Sequence, residues 1–213
     1  MQRFASCAST HLVRAANTLV LSLTRCPGCD ARPPGPRGAC RACWSIMLDP
    51  VRTADVIALG RYGGALGAIL RKAKFGGASV ALDALASHLS VLLDEAGVAH
   101  LPVVPVPSHR SRRRRRGDDP SWRLARAAAG ARAVRALVRH RNDGPQSRTR
   151  RDARERNVAG AFTLDGAARE AIAGVPVVLL DDVLTTGATV RACRAALAEA
   201  DVSVSIVAVA AIA

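Results

Sequence analysis

The sequence predicts an α/β domain, in which a parallel sheet is flanked by helices, preceded by a small cysteine-rich module. The chain of 213 residues is 49% hydrophobic but only 3% aromatic, so its core must consist of small aliphatic side chains. Such a composition suits buried parallel strands covered by helices. Four of the six cysteines lie between residues 26 and 43, ahead of a change in composition at Asp49-Pro50. We therefore place the module at residues 1–50 and the α/β domain at residues 51–213.

Beyond residue 50 the predicted strands and helices alternate, which implies right-handed crossovers between parallel strands. The strands are short apolar runs, and the helices carry apolar residues at helical spacing. The predicted strands are Val56–Leu59, Val103–Val106, Val134–Val138, Val177–Leu180 and Val202–Ile212. The predicted helices are Ser79–Ala96, Trp122–Ala131, Arg148–Val158 and Thr189–Ala200, and a short amphipathic helix is expected before the cysteines.

The first 25 residues do not fit a membrane or secretion signal. No stretch of 18 apolar residues occurs, so no transmembrane helix is predicted. The apolar run Ala15–Leu23 is interrupted by polar residues, and no small-residue cleavage site precedes the cysteines. We expect a cytoplasmic protein.

The cysteines form two C-x-x-C pairs separated by ten residues: Cys26, Cys29, Cys40 and Cys43. Two such pairs can each hold one edge of a tetrahedral metal ion, and four thiolates on a cytosolic chain favour structural Zn²⁺. Two disulfides are the alternative, and they are disfavoured because cytosolic thiols stay reduced. An iron–sulfur cluster is possible on the same ligands but less favoured than zinc. The stretch from residue 32 to 38 is rich in Pro and Gly and predicts an exposed loop between the pairs.

The segment Val177–Thr189 carries the chemistry of a phosphate and ribose site. Four apolar residues predict a buried strand, and two acids, Asp181 and Asp182, follow where open α/β sheets bind ligands. The small residues from Thr185 to Thr189 then open a helix, exposing backbone N–H groups and the positive end of the helix dipole. The segment is neither a Walker A loop nor a G-x-G-x-x-G loop. It matches the motif that binds 5-phosphoribosyl 1-pyrophosphate in a Rossmann-like fold, although a strand–turn–helix that uses Thr as a cap is the structural alternative.

Positive charge is concentrated in one part of the chain. The formal net charge is +14, and 17 arginines but only 5 acidic residues lie between Ser108 and Arg156. A field of this kind attracts polyanions such as nucleic acid, phosphorylated ligands or anionic lipid. A solvated basic face is the alternative.

The chain resembles the ComF family of phosphoribosyltransferase-like proteins. The order of cysteine quartet and phosphoribosyl motif carries the resemblance, which covers roughly residues 24 to 213. Further similar segments are Tyr62-Gly63, Lys74-Phe-Gly76, Val104-Pro-Val-Pro107, Arg116-Gly117, Gln146 and Arg154–Phe162. The chain departs from the family at Asp118-Asp119-Pro120, where Phe-Asn-Gln is usual, and thereby lacks an aromatic side chain and two amide donors beside the predicted site.

The resemblance implies a type I phosphoribosyltransferase fold that binds 5-phosphoribosyl 1-pyrophosphate with Mg²⁺. Asp181 and Asp182 would be the catalytic acids and hold the ribose hydroxyls, and Thr185–Thr189 would hold the 5′-phosphate. The basic residues Lys74, Arg110 and Arg116 are candidates for the pyrophosphate. The complete predicted ligand site is Lys74, Arg110, Arg116, Asp181, Asp182, Val183, Leu184, Thr185, Thr186, Gly187, Ala188 and Thr189.

Three functions follow from the resemblance and stay open at this point. The family name implies a role in competence, with uptake or processing of single-stranded DNA along the basic segment and a possible partner in the uptake machinery. A base-salvage transferase is the second hypothesis, and a regulator that senses the phosphoribosyl ligand is the third. The run Arg112–Arg116 can be a lid over pyrophosphate, a nucleic-acid contact or a solvated segment.

Overall fold

A computed structural model describes residues 25–75, 78–108, 119–140 and 160–213 of the chain. Several predicted features lie outside these residues. They are the N-terminal amphipathic helix, the helix at Arg148–Val158, the run Arg112–Arg116, and the ligand candidates Arg110 and Arg116.

The described residues form a mixed α/β fold around a five-stranded, mostly parallel sheet. In chain order the strands are β1 (Val51–Arg52), β2 (Val56–Ala58), β3 (Val103–Pro105), β4 (Leu137–Arg139), β5 (Phe162–Leu164), β6 (Val177–Leu184) and β7 (Val204–Ile212). The α-helices are α1 (Arg41–Met47), α2 (Gly64–Ala73), α3 (Ser79–Glu95), α4 (Pro120–Ala129), α5 (Arg169–Ile172) and α6 (Ala188–Ala198).

The main sheet has the strand order β1-β2-β7-β6-β3, and all of its neighbours are parallel except β1 and β2. The strand predicted at Val134–Val138 touches this sheet at its start, where the N–H of Val134 donates to the carbonyl oxygen of Val103 on β3 at 2.9 Å, but it does not continue along the sheet. Its observed counterpart, β4, pairs antiparallel with β5 in a separate two-stranded sheet. The sequence therefore predicted β2, β3, β6 and β7 but not the antiparallel edge strand β1 or the pairing of β4 with β5.

Strand β6 lies inside the sheet, between β7 and β3, and its residues alternate between two apolar clusters. Val178 and Leu180 belong to the cluster that contains α3 and α4, and Val177 and Leu179 belong to the cluster that contains α6. All four side chains are fully buried. A strand covered on both faces needs a continuous apolar run rather than an alternating one, which explains the sequence Val177-Val-Leu-Leu180.

The cysteine-rich segment packs on the same core as the sheet. Trp44 of α1 lies in the larger cluster and its ring centroid is 5.6 Å from that of His88 on α3. The guanidinium of Arg37 also lies over the Trp44 ring, 5.0 Å from its centroid. The segment is thus packed into the same apolar core as the sheet.

No helix in the described parts of the chain is both long and apolar enough to cross a membrane.

Candidate functional site

The four predicted cysteines converge on one point. The Sγ atoms of Cys26 and Cys43 are 3.8 Å apart, as are those of Cys29 and Cys40, and all four lie within 4.8 Å of one another. A tetrahedron with Zn–S distances of about 2.3 Å has edges of about 3.8 Å. None of the four is in a disulfide. The prediction that this quartet is brought together is confirmed, and the cluster can hold a metal ion such as zinc.

The surroundings of the sulfur atoms suit thiolate ligands. Burial raises the pKa of Cys26, but N–H donors from Cys40, Gly28 and Cys29 outweigh it and bring that pKa down to about 7. The N–H of Cys40 donates to Sγ of Cys26 at 3.2 Å. Burial raises the pKa of Cys43, which places a cost on its thiolate that a bound cation would offset. A Cβ at position 28 would lie 2.9 Å from Sγ of Cys43, so the turn between Cys26 and Cys29 needs glycine there.

A second site is a cleft of about 190 Å³ at the carboxyl ends of β3 and β6. These two strands are parallel neighbours. The helix after β3, α4, packs in one apolar cluster, and the helix after β6, α6, packs in the other. Adjacent strands whose following helices leave on opposite faces open a crevice between them, the usual ligand position in open α/β sheets.

Five of the predicted ligand residues line this cleft: Lys74, Asp181, Asp182, Val183 and Thr189. The lining also contains residues that the sequence did not single out as ligand-binding, namely Val106, Pro107, Ser108, Pro120, Ser121 and Arg139. Leu184 and the loop from Thr185 to Ala188 are not part of the lining. Thr185 and Thr186 are exposed beside it.

The two acids lie inside β6 rather than beyond its end. The strand was predicted to stop at Leu180, but its pairing with β7 continues through Asp181↔Val209 to Leu184↔Ile212. The ladder thereby fixes the backbone of both acids. Both acids line the cleft, but their carboxylates have different partners.

Asp182 is paired with a cation from another part of the chain. Its Oδ2 lies 2.8 Å from Nζ of Lys74, which follows the last turn of α2. The Asp182 side chain is 17% exposed, so the pair is shielded from bulk water on most sides. The sequence placed Asp182 in the ligand site through its motif and Lys74 through the resemblance, and the structure brings the two side chains into contact.

Asp181 is partly buried and lies beside a second carboxylate. Burial, followed by the charge of Asp182, raises the pKa of Asp181 to about 8, although hydrogen bonds lower it in part. Its Oδ1 accepts from the N–H of Asp182 at 2.8 Å and from Oγ of Ser121 at 3.2 Å. At neutral pH the carboxyl group is therefore mostly protonated and can donate a hydrogen bond.

The loop after β6 enters α6 through Gly187. Gly187 has φ 73°, a left-handed conformation that favours glycine, and it caps the helix without a side-chain hydrogen bond. The N-cap is thus Gly187 rather than a threonine, while Oγ1 of Thr186 accepts from the N–H of Ala188 at 3.5 Å. Arg191, one turn into α6, donates from its guanidinium to the carbonyl oxygen of Thr186 at 2.9 Å. Thr189 in the first turn faces the cleft.

The departure Asp118-Asp119-Pro120 has a structural explanation at its second residue. Asp119 is the N-cap of α4 and is only 6% exposed, and Pro120 occupies the first helical position, where proline is favoured. Asp119 therefore stabilises the start of α4 beside the cleft. Asp118 lies outside the described residues.

No protein-family model matches this chain, and no similar sequence was found among curated proteins.

Proposed function

We propose that the chain is a ComF-type, phosphoribosyltransferase-like protein that binds 5-phosphoribosyl 1-pyrophosphate with Mg²⁺ in the cleft between β3 and β6. The observation that carries this proposal is the position of Asp181 and Asp182 in β6, directly ahead of the glycine-capped start of α6. Acids in this place can bond ribose hydroxyls, and the start of α6 offers N–H groups and a positive dipole end to a 5′-phosphate.

The charges around the cleft support an anionic ligand that also carries hydroxyl groups. Lys74 and Arg139 line it together with Asp181 and Asp182. The cations suit pyrophosphate, and the acids suit a sugar ring. The ligand would compete with Asp182 for Lys74, so binding would exchange an internal ion pair for one with phosphate.

In this proposal the chemical step is displacement of pyrophosphate by a nitrogen nucleophile through an oxocarbenium-like centre. The bond from the ribose C1 to the pyrophosphate oxygen breaks as the new C–N bond forms, and the electron pair leaves with pyrophosphate. Lys74 and Arg139 would stabilise the charge that develops on the leaving group. Asp181 and Asp182 would fix the ribose ring. Mg²⁺, when bound with the ligand, would neutralise part of the pyrophosphate charge.

The wider role we propose is in competence, where the protein would handle single-stranded DNA during uptake. The basic composition supports this choice, since 17 arginines lie between Ser108 and Arg156. The cysteine quartet would hold a structural Zn²⁺ in this protein. A base-salvage transferase or a ligand-sensing regulator would use the same cleft.

Calorimetry with Mg²⁺ and 5-phosphoribosyl 1-pyrophosphate tests the proposed ligand. The double variant Asp181→Asn with Asp182→Asn should bind at least tenfold more weakly, or about 1.4 kcal/mol. A hydrogen bond to a charged group is worth about 1.5–3 kcal/mol, so the loss of the contact to the ionised Asp182 alone is large enough. Asp165→Asn is the matched control, because Asp165 caps the short helical turn after β5 and is not in the cleft. If the double variant binds the ligand as tightly as the wild-type protein does, Asp181 and Asp182 do not bind its ribose.

A further inference from the structure

Asp119 connects the end of β3 to the start of α4. Its Oδ2 accepts from both the N–H and the Oγ of Ser108, at 3.0 and 2.9 Å. Its Oδ1 accepts from the N–H of Ser121 at 3.2 Å. The buried carboxylate of Asp119 thus bonds with one oxygen to Ser108, eleven positions earlier in the chain, and with the other to the first turn of α4.

Ser121 extends this connection to the acids of β6. It is 4% exposed, and its Oγ donates to Oδ1 of Asp181 at 3.2 Å. Ser108 and Ser121 both line the cleft. Ser108 is therefore linked to Asp181 through Asp119 and Ser121, because Ser121 bonds to Asp119 with its N–H and to Asp181 with its hydroxyl.

We propose that Asp119 and Ser121 are positioning residues of the cleft. Asp119 fixes the first turn of α4 against the end of β3, and Ser121 in that turn holds the carboxyl group of Asp181 in the orientation that meets the ligand. This proposal rests on the proposed function, because both residues act on the ligand only through Asp181.

The requirement at position 119 is for a carboxylate rather than for any helix cap. Asn caps helices about as well as Asp, but its side chain has one acceptor oxygen where Asp has two. In Asp119→Asn the amide nitrogen must face the donors of either Ser108 or Ser121, whichever way the group is turned. The variant therefore keeps the cap chemistry and breaks one side of the connection.

The titration of Asp181 reports on the contact from Ser121 directly. The charged and titratable groups around Asp181 are Asp182, Lys74 through its pair with Asp182, Arg139, and Cys193 of α6. None of them changes in Ser121→Ala. Loss of the serine hydroxyl removes a donor that stabilises the ionised carboxylate, so the pKa of Asp181 must rise.

The experiment follows the ¹³Cγ signals of aspartate-labelled protein through a pH titration by NMR, with the Asp181 signal assigned from its loss in Asp181→Asn. In Ser121→Ala the midpoint should rise by about one pH unit, the low end of the range for a hydrogen bond to a charged group. Asp119→Asn should move it in the same direction by a smaller amount. Ser87→Ala, which removes a hydroxyl bonded to a backbone carbonyl oxygen on α3, should leave it unchanged, as should Asp165→Asn.

Calorimetry with Mg²⁺ and 5-phosphoribosyl 1-pyrophosphate on the same variants completes the test. Affinity should fall threefold to tenfold in Ser121→Ala and Asp119→Asn and stay at the wild-type value in both controls. An unchanged Asp181 midpoint in Ser121→Ala overturns the proposal, and so does a shifted midpoint with unchanged affinity. If the wild-type protein does not bind the ligand, the proposed function is wrong. Because the titration needs no ligand, the Asp181 midpoint still shows whether Ser121 holds the Asp181 carboxyl group. If Asp119→Asn does not fold, Ser121→Ala alone decides the result.

Discussion

The ammonium group of Lys74 lies 2.8 Å from the carboxylate of Asp182, and this ion pair joins the end of α2 to β6. Two residues earlier, Lys72 pairs with Asp30 in the cysteine-rich segment. At the C-terminal end of α2, Lys74 thus pairs with an acid of the cleft and Lys72 pairs with an acid of the cysteine-rich segment. Substitution of either lysine separates their contributions, because the two have the same chemistry and different partners.

We expect Lys74→Met to weaken binding of the Mg²⁺–phosphoribosyl pyrophosphate complex by about tenfold, as measured by calorimetry. The reason is the loss of a charge-assisted contact to phosphate, which is worth about 1.5–3 kcal/mol. Lys72→Met, the matched control, should leave affinity within twofold. Equal losses in both variants would indicate that overall charge, rather than Lys74 itself, attracts the ligand.

We expect one tightly bound zinc per chain on Cys26, Cys29, Cys40 and Cys43 in protein purified without added metal. Elemental analysis measures the stoichiometry. Cys40→Ser should lose the metal and lower the melting temperature, because three of the four cysteines belong to the main apolar cluster. Cys193→Ser, a buried cysteine of α6 outside the quartet, controls for the loss of a thiol. Less than half an equivalent of zinc in the wild-type protein would exclude the site.

The raised pKa of Asp181 makes the free energy of unfolding depend on pH. The folded chain keeps the proton up to about pH 8, whereas an unfolded aspartate loses it near pH 4. The folded state therefore binds more protons across this window, and its stability falls as pH rises from about 4 to 8. In Asp181→Asn this contribution is absent, so stability should fall less steeply, by at most about 1.4 kcal/mol per pH unit.

Urea unfolding at pH 5, 6, 7 and 8 measures this difference between Asp181→Asn and the wild-type protein. Asp165→Asn serves as the control, since Asp165 caps a short helical turn and does not line the cleft. Parallel stability curves for wild type and Asp181→Asn would mean that Asp181 is ionised in the folded protein at neutral pH.

The run Arg112–Arg116 lies outside the described residues, and its role is predicted from the sequence alone. If it contacts a nucleic-acid backbone, affinity for single-stranded DNA should fall as salt rises. The slope of log K against log salt concentration should be about −0.7 for each phosphate neutralised. Arg112→Ala with Arg113→Ala and Arg114→Ala should flatten that slope by about one to two units. Gel shifts across a salt series measure it.

A triple variant with the same change of charge provides the control: Arg41→Ala, Arg71→Ala and Arg169→Ala, three exposed arginines on other elements. Its salt slope should stay close to that of the wild-type protein. Normal DNA binding in the Arg112–Arg114 variant, together with loss of the phosphoribosyl ligand, would instead assign the run to the cleft and favour the enzyme over DNA handling.

Local sequence patterns determined those parts of the molecule whose partners are close along the chain. The spacing of Cys26, Cys29, Cys40 and Cys43 predicted their convergence, since two short knuckles have few ways to arrange four sulfur atoms. The apolar run Val177–Leu180 and the small residues after it predicted β6, the turn and α6, because helical and strand periodicity are local properties.

Only the tertiary structure decided which distant segments meet at the acids. The placement of β3 and the following α4 beside β6 brings Ser121 to Asp181, and the end of α2 brings Lys74 to Asp182. Strand order, and the face on which each helix packs, are set by how all the apolar surfaces fit together. A hydroxyl such as that of Ser121 carries no periodic signal of its own, so its role at the site emerges only when α4 docks against the sheet.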